Sequence, residues 1–259
     1  MLRFLKNMRR KRICSHPFPE AWRKIIEANA PYYRCLSPED RKELQGHVQI
    51  LVHEKNFEGC GGLEMTDEIR VTIAAHAAIL LLYLDHDYYS GLQSIVVYPS
   101  SFLVKTETPG PSGLVTERNE MHAGEAWHHG TIVLAWDEVQ HSAADIHDGH
   151  NVVLHEFAHH LDQQDGHCDG APLLSEPSRY ISWARILGKE FDLLSNAAAR
   201  QKPTLLDQYG ATNPAEFFAV VTECFFENPI LLREKHPELY EELKSFYHQD
   251  PAASAAGEP

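Results

Sequence analysis

An α+β fold is predicted, mainly helical, with a small mixed β-sheet lying just before one histidine-bearing helix. Three observations carry that prediction. Helix caps followed by apolar periodicity fill the first third of the 259-residue chain and most of it after residue 150. β-branched runs are confined to the stretch between Ser94 and Trp136. No internal repeat breaks the chain into copies.

Residues 1–19 carry Arg3, Lys6, Arg9, Arg10, Lys11 and Arg12 and are expected to be a flexible basic arm. Glu20 to Ala30 is a short amphipathic helix that Pro31 stops. Ser37-Pro38-Glu39-Asp40 opens the next helix with an N-cap, a first-turn proline and two acids. That helix should run to about Lys55 and bury Leu44, Val48, Leu51 and Val52. Phe57 to Leu63 holds three glycines and is read as a loop. Thr66, with Asp67 and Glu68 behind it, caps a third helix reaching about Leu84.

Ser94 to Tyr98 is a β-branched strand that Pro99 ends, and Phe102 to Lys105 continues extended. Pro109 to Gly113 is a loop, followed by a weakly alternating strand to His122. Thr131 to Trp136 is the clearest strand. Of the many histidines here, His128 and His129, just before it, are expected to line a cleft, although neither is read as a ligand. Ser175-Glu176-Pro177 starts a long helix to about Arg200, with Ile181, Ala184, Leu187, Phe191 and Leu194 on its inner face. Helices from Asn213 to Asn228 and from Pro237 to Gln249 complete a single domain over residues 20–250. Its helical layer covers 20–85, its sheet and later helices cover 86–250, and a disordered tail follows over 251–259.

The formal net charge of −14 argues against direct nucleic-acid binding. Val71 to Leu84, the most apolar run, is too short to cross a bilayer. The five scattered cysteines include no C-x-x-C and suggest a reducing compartment, so a cytoplasmic location is expected.

The chemistry centres on Asn151 to Asp162, which contains His155-Glu156-Phe157-Ala158-His159. Residues four apart on a helix differ by about 40° in direction and about 6 Å in height, so one zinc ion can bridge both imidazoles. Glu156 lies about 100° round from His155, where it can act on water without ligating. Val152, Val153, Leu154, Phe157, Ala158 and Leu161 make the surround apolar, with Asp148 as the expected N-cap and Gly166 beyond the end. A buried histidine pair with no metal is the competing reading.

A catalytic zinc needs a third protein ligand. Asp165 would require a sharp turn, and the glycine that permits one is absent. Asp162 continues the histidine face one turn on, which suits a hydrogen bond to an imidazole, or equally a plain surface position, better than ligation. The helix from Asn213 offers Glu216 and Glu223, seven residues apart on one face. Glu216 also has capping-box spacing from Asn213, and Glu223 also suits a solvated flank. The residues alone leave both glutamates open.

The stretches His155–Asp162 and Asp207–Val220 together resemble the Mlc titration factor A family, bacterial zinc metallopeptidases of the gluzincin type. Ile95–Pro99, Gly130–Trp136 and Phe246–Pro251 are similar to further family segments, so the resemblance covers roughly residues 20–251. It implies a zincin-like fold, one Zn2+ held by His155, His159 and Glu216, Glu156 as general base and Tyr209 as a hydroxyl donor. It also implies a peptide substrate, with aminopeptidase-like action expected, and binding of the Mlc glucose repressor. A protein whose main role is that binding, and a hydrolase of small amides, are the competing functions.

Overall fold

The computed structural model describes residues 2–100, 102–109, 115–122, 124–127, 130–144 and 148–255. The first layer is helical: α1 (Leu2–Ser15), α2 (Glu20–Asn29), α3 (Tyr32–Cys35), α4 (Pro38–Glu54) and α5 (Asp67–Ile79), with strand β1 (Asn56–Gly59) between the last two. The caps anticipated for α4 and α5 are present. Ser37 Oγ accepts from the Asp40 N–H, and Thr66 Oγ1 accepts from the Ile69 N–H. Each satisfies a donor that a helix start otherwise leaves orphaned. α5 is buried from Val71 to Ile79 and packs against α2, α4 and the later helix over Val152–Asp162.

The sheet is mixed, as expected. β1 pairs in parallel with β2 (Ser94–Tyr98), β2 in parallel with β6 (Thr131–Ala135), and β6 antiparallel with β5 (Gly124–Trp127). Ile95 sits opposite Ile132 and Val97 opposite Leu134, and all four are in the core. β3 (Phe102–Pro109) and β4 (Val115–His122) form a separate antiparallel pair.

The second half is helical again: α6 (Trp136–Ala144), α7 (Val152–Asp162), α8 (Arg179–Ala199), α9 (Pro214–Glu227), α10 (Pro229–Lys235), α11 (Pro237–Tyr247) and α12 (Pro251–Ala255). α9 is the spine of this half. It is buried at almost every position and packs on α7, α8, α10 and α11. Phe225 and Phe226 meet Tyr247 from α11 in an aromatic cluster.

Several expectations need correction. The basic arm is a helix: α1 packs on α4 through the buried Arg10 and Ile13. Phe57 to Leu63 is not all loop, because β1 adds to the sheet edge before the turn. At Gly59 a side-chain carbon would meet the Leu63 carbonyl oxygen at 2.1 Å, so the glycines serve a tight turn after the strand. α5 stops at Ile79, five residues early, although Leu80, Leu81 and Leu82 stay buried. The inner face of α8 is Trp183, Ile186, Leu187, Glu190 and Leu194, and Ile181 is 76% exposed. Tertiary packing rotated that face, and the buried Glu190 carboxylate pairs with His236 at 2.8 Å. The expected tail is ordered as far as Ala255. Ala252 is buried, and its N–H donates to Tyr240 Oη at 3.0 Å. His128, His129 and residues 256–259 lie outside the described residues.

Candidate metal centre

α7 and α9 face each other across the centre of the second half. α7 begins at Asn151, whose Oδ1 accepts from the Leu154 N–H at 3.0 Å. Asp148 is therefore not the cap; its carboxylate accepts instead from the His150 N–H. Val153, Leu154, Phe157, Ala158 and Leu161 anchor the helix in the core. Its remaining face carries His155 and His159. α9 begins at Asn213, whose Oδ1 accepts from the Glu216 N–H at 3.0 Å, with Pro214 in the first turn.

Glu216 thus has two tasks. Its backbone N–H completes the cap, and its carboxylate oxygen lies 3.0 Å from His155 Nε2 and 3.4 Å from His159 Nε2. One ligand atom from each of these three residues lies within 4.8 Å of the others. Glu223, two turns along α9, meets the other side of the same ring, with Oε1 2.7 Å from His155 Nδ1. The His155 imidazole is held between the two glutamates, and its Nε2 is aimed into the cluster. A ligating histidine fixed through its second nitrogen is the usual arrangement for a metal. The residues fit a cation.

A model of the glucose-regulated metallo-peptidase M90 family matches residues 5–248. The chain belongs to that family. It is 40% identical over 244 residues to the uncharacterized protein slr2042 of Synechocystis sp., covering 94% of this chain and 89% of that protein. It is 35% identical over 243 residues to Mlc titration factor A of Pectobacterium atrosepticum, covering 90% and 88%. It is also 35% identical over 230 residues to Mlc titration factor A of Serratia proteamaculans, covering 84% of each chain. Family membership makes a metal cofactor the natural occupant of the cluster.

The electrostatics of this family member suit that occupant. Burial works against charge on Glu216, but hydrogen bonds from His155 and His159 outweigh it and hold its pKa down at about 2. Burial likewise opposes charge on His159, yet contacts with Cys168 and Glu216 raise its pKa to about 9. His155 is raised well above the ordinary range against burial, chiefly by the charge of Glu223. Glu223 is held low despite burial, by His155, His150 and the Asn151 N–H.

Glu156 differs from the other two glutamates. It is buried, its Oε2 has no hydrogen-bond partner among the described residues, and burial raises its pKa to about 7. A carboxylate that titrates near neutrality is suited to taking and returning protons.

Tyr209 sits on a short turn, Gln208–Ala211, and is 52% exposed, with its ring 6.0 Å from that of His155. Asp207 fixes that turn. Its Oδ1 accepts from the Tyr209 N–H at 2.7 Å, and its Oδ2 pairs with His150 Nε2 at 2.7 Å. His150 Nδ1 in turn lies 3.6 Å from Glu223. A polar chain therefore joins the tyrosine turn to the residue that orients His155.

Among the described residues Asp162 makes no direct hydrogen bond to an imidazole. It is fully buried, and its Oδ2 accepts from the Gly170 N–H at 2.9 Å. Gly170 adopts φ +78°, and a side-chain carbon there would meet the Pro214 carbonyl oxygen at 2.3 Å. Asp162 thus pins the loop after α7 over the start of α9. The thiol of Cys168, on that loop, acts on both Asp162 and His159.

Sequence reasoning missed Asn151, His150, Asp207 and Cys168. Asn151 ties three elements together: on α9 its N–H donates to Glu223 and its Nδ2 to Glu227 at 2.8 Å, and its Nδ2 lies 3.1 Å from His76 Nδ1 on α5. An asparagine just ahead of an apolar helix was the available signal for its cap role. Asp207-x-Tyr209 carried the signature of an Asx turn. Nothing in local pattern marks His150 or Cys168.

Proposed function

We propose that the chain is a zinc-dependent peptidase of the gluzincin type, with a zincin-like core built on α7, α9 and the mixed sheet. The supporting observation is the convergence of the Glu216 carboxylate on the Nε2 atoms of His155 and His159. These three residues would hold one Zn2+. When bound, zinc supplies the Lewis acidity that brings the pKa of water down to about 7 and polarises a carbonyl. Glu156 accepts a proton from the attacking water and returns it to the leaving amine. Its pKa near 7 serves both transfers. Glu223 keeps His155 in the tautomer with Nε2 free for the metal. The Tyr209 hydroxyl donates to the oxyanion as the tetrahedral species forms.

Peptide recognition belongs to β5. β6 is flanked by β2 and β5, so among the described residues the sheet edge near α7 is that of β5. An extended peptide adding to that edge is held by its main chain, with little demand on sequence. Aminopeptidase-like action in the cytoplasm is the finer form of this reading. Parallel assays on free and N-acetylated peptides test it, and equal cleavage of both would exclude it.

The decisive experiment pairs metal analysis with Glu156→Gln. About one zinc per chain is expected in both proteins, with turnover lost only in the variant. Wild-type turnover by Glu156→Gln would overturn the assignment.

A second reading comes from the printed name of two relatives, Mlc titration factor A. On this reading the chain shares the capacity to titrate Mlc that their name states, a role that requires no turnover. Co-elution with the Mlc repressor, retained in Glu156→Gln, is the expected result. Failure to co-elute would leave the peptidase alone.

A further inference from the structure

α1 has its apolar residues on the wrong side for a packing helix. Its inner face is polar and paired. The Arg10 guanidinium makes hydrogen bonds to Glu54 at 3.0 and 2.7 Å and to Asp87 at 2.5 Å, and it lies 4.3 Å over the Tyr88 ring. Lys6 adds a second contact to Asp87 at 2.9 Å. Ile13 is the buried apolar residue on that side.

The outer face is the reverse. Phe4, Leu5 and Met8 are 67%, 56% and 54% exposed. At about 100° per residue they fall within one arc of about 100°, with Arg12 inside it and Lys11 and Arg9 on its two flanks. Among the described residues no acid pairs with Arg9, Lys11 or Arg12. Beside the helix lies a cleft of about 440 Å³ whose titratable lining residues are all basic: Arg9, Arg12, His16 and His53. Trp22 lines it as well. This concentration of positive charge stands on a chain whose net charge is −14.

We propose that α1 docks the protein on an anionic lipid membrane. Phe4, Leu5 and Met8 enter the boundary between headgroups and acyl chains. Arg9, Lys11 and Arg12 lie among the lipid phosphates, and the basic cleft seats one headgroup. The helix lies in the plane of the surface, because among the described residues no helix is long and apolar enough to cross a membrane. The Arg10 pairs hold the helix on α4, so the apolar arc is presented already folded. Charge complementarity selects a lipid surface: an apolar arc that carries Arg12 and is flanked by Arg9 and Lys11, none of them paired with an acid among the described residues, fits a plane of apolar chains under anionic headgroups.

The test is co-sedimentation of the full chain with vesicles. One set mixes phosphatidylglycerol with phosphatidylcholine, and the other is phosphatidylcholine alone. Binding to the anionic set is expected, at least about tenfold tighter than to the neutral set and weakened by high salt. Each cation near such a surface is worth roughly fivefold in affinity, so Arg9→Gln with Arg12→Gln should weaken binding about 30-fold. Phe4→Ser with Leu5→Ser and Met8→Ser should weaken it at least about tenfold. Helical circular dichroism and peptide hydrolysis should be unchanged in both variants, which separates lost docking from lost fold. Equal binding to both vesicle sets, or wild-type binding by the variants, would overturn the proposal. So would no vesicle binding together with inorganic phosphate capture in the cleft, or with self-association through α1.

Discussion

The α7–α9 pair and α1 both invert the usual arrangement of polar and apolar groups, in opposite directions. Between α7 and α9, charged groups lie inside: Glu156, His159 and Glu223 are all buried. On α1, large apolar groups lie outside, at Phe4, Leu5 and Met8. Burying charge is costly unless partners compensate, and here they do, since Glu223 alone accepts from His155 and the Asn151 N–H. The exception is Glu156, and its missing partner fits a group that must exchange protons with substrate. Exposing apolar area is tolerated for single residues, but a coherent arc on one helix marks a contact surface. Departures from ordinary burial thus locate both the proposed chemistry and the proposed docking face.

The largest effect is expected from Glu156→Gln, which should lower peptide turnover by roughly 10²–10⁴-fold with metal content unchanged, measured by hydrolysis assay beside metal analysis. Arg10→Ala follows. It strands Glu54 in a nearly buried site and should cost about 3–5 kcal/mol, read from chemical denaturation. Glu223→Gln removes the anion that orients His155 and should weaken metal binding about 10–100-fold in chelator competition. A wild-type affinity there would mean that the buried charge network does not serve the metal.

In the metal-free protein the His159 pKa is raised to about 9, so the folded state holds a proton that the unfolded state releases near 6.5. The stability it contributes is complete below about pH 6.5 and is lost as pH rises through about 9. Metal must displace that proton and the one that His155 holds, so metal affinity should rise at least roughly tenfold per pH unit over the same range. Thermal melts of metal-free protein and chelator competition at pH 6.5 and 9 check the two opposite trends. The smallest effect is expected on α1: Phe4→Ser should change stability by no more than about 0.5 kcal/mol, because that side chain packs on little. A loss of several kcal/mol would mean that the outer face of α1 is part of the core.

Much of this was legible in local pattern. The α4, α5 and α9 caps rest on side chains within three residues of the groups they satisfy, and each was identifiable from Ser37, Thr66 or Asn213. The mixed sheet followed from β-branched runs at Ile95–Val97 and Ile132–Val133. The faces of α1 and α8 were not legible. On α8, Trp183 and Glu190 turn inward against the loop after α7 and His236, and Ile181 turns out. Helical periodicity gives the existence of a face, and the neighbours choose among near-equal faces.

The same division holds for the candidate metal centre. His155 and His159 share a face because any α-helix places residues four apart on one side, so the spacing by itself determined that pair. Glu216 and Glu223 share a face of α9 for a related reason, seven residues being close to two turns. No local rule could divide the roles between them, since both depend on where α7 lies. Only the packing of α7 against α9, across 61 and 68 residues of chain, set Glu216 beside His155 Nε2 and Glu223 beside its Nδ1. Short-range geometry is a property of the backbone, whereas contacts this far apart in sequence exist only once the core has formed.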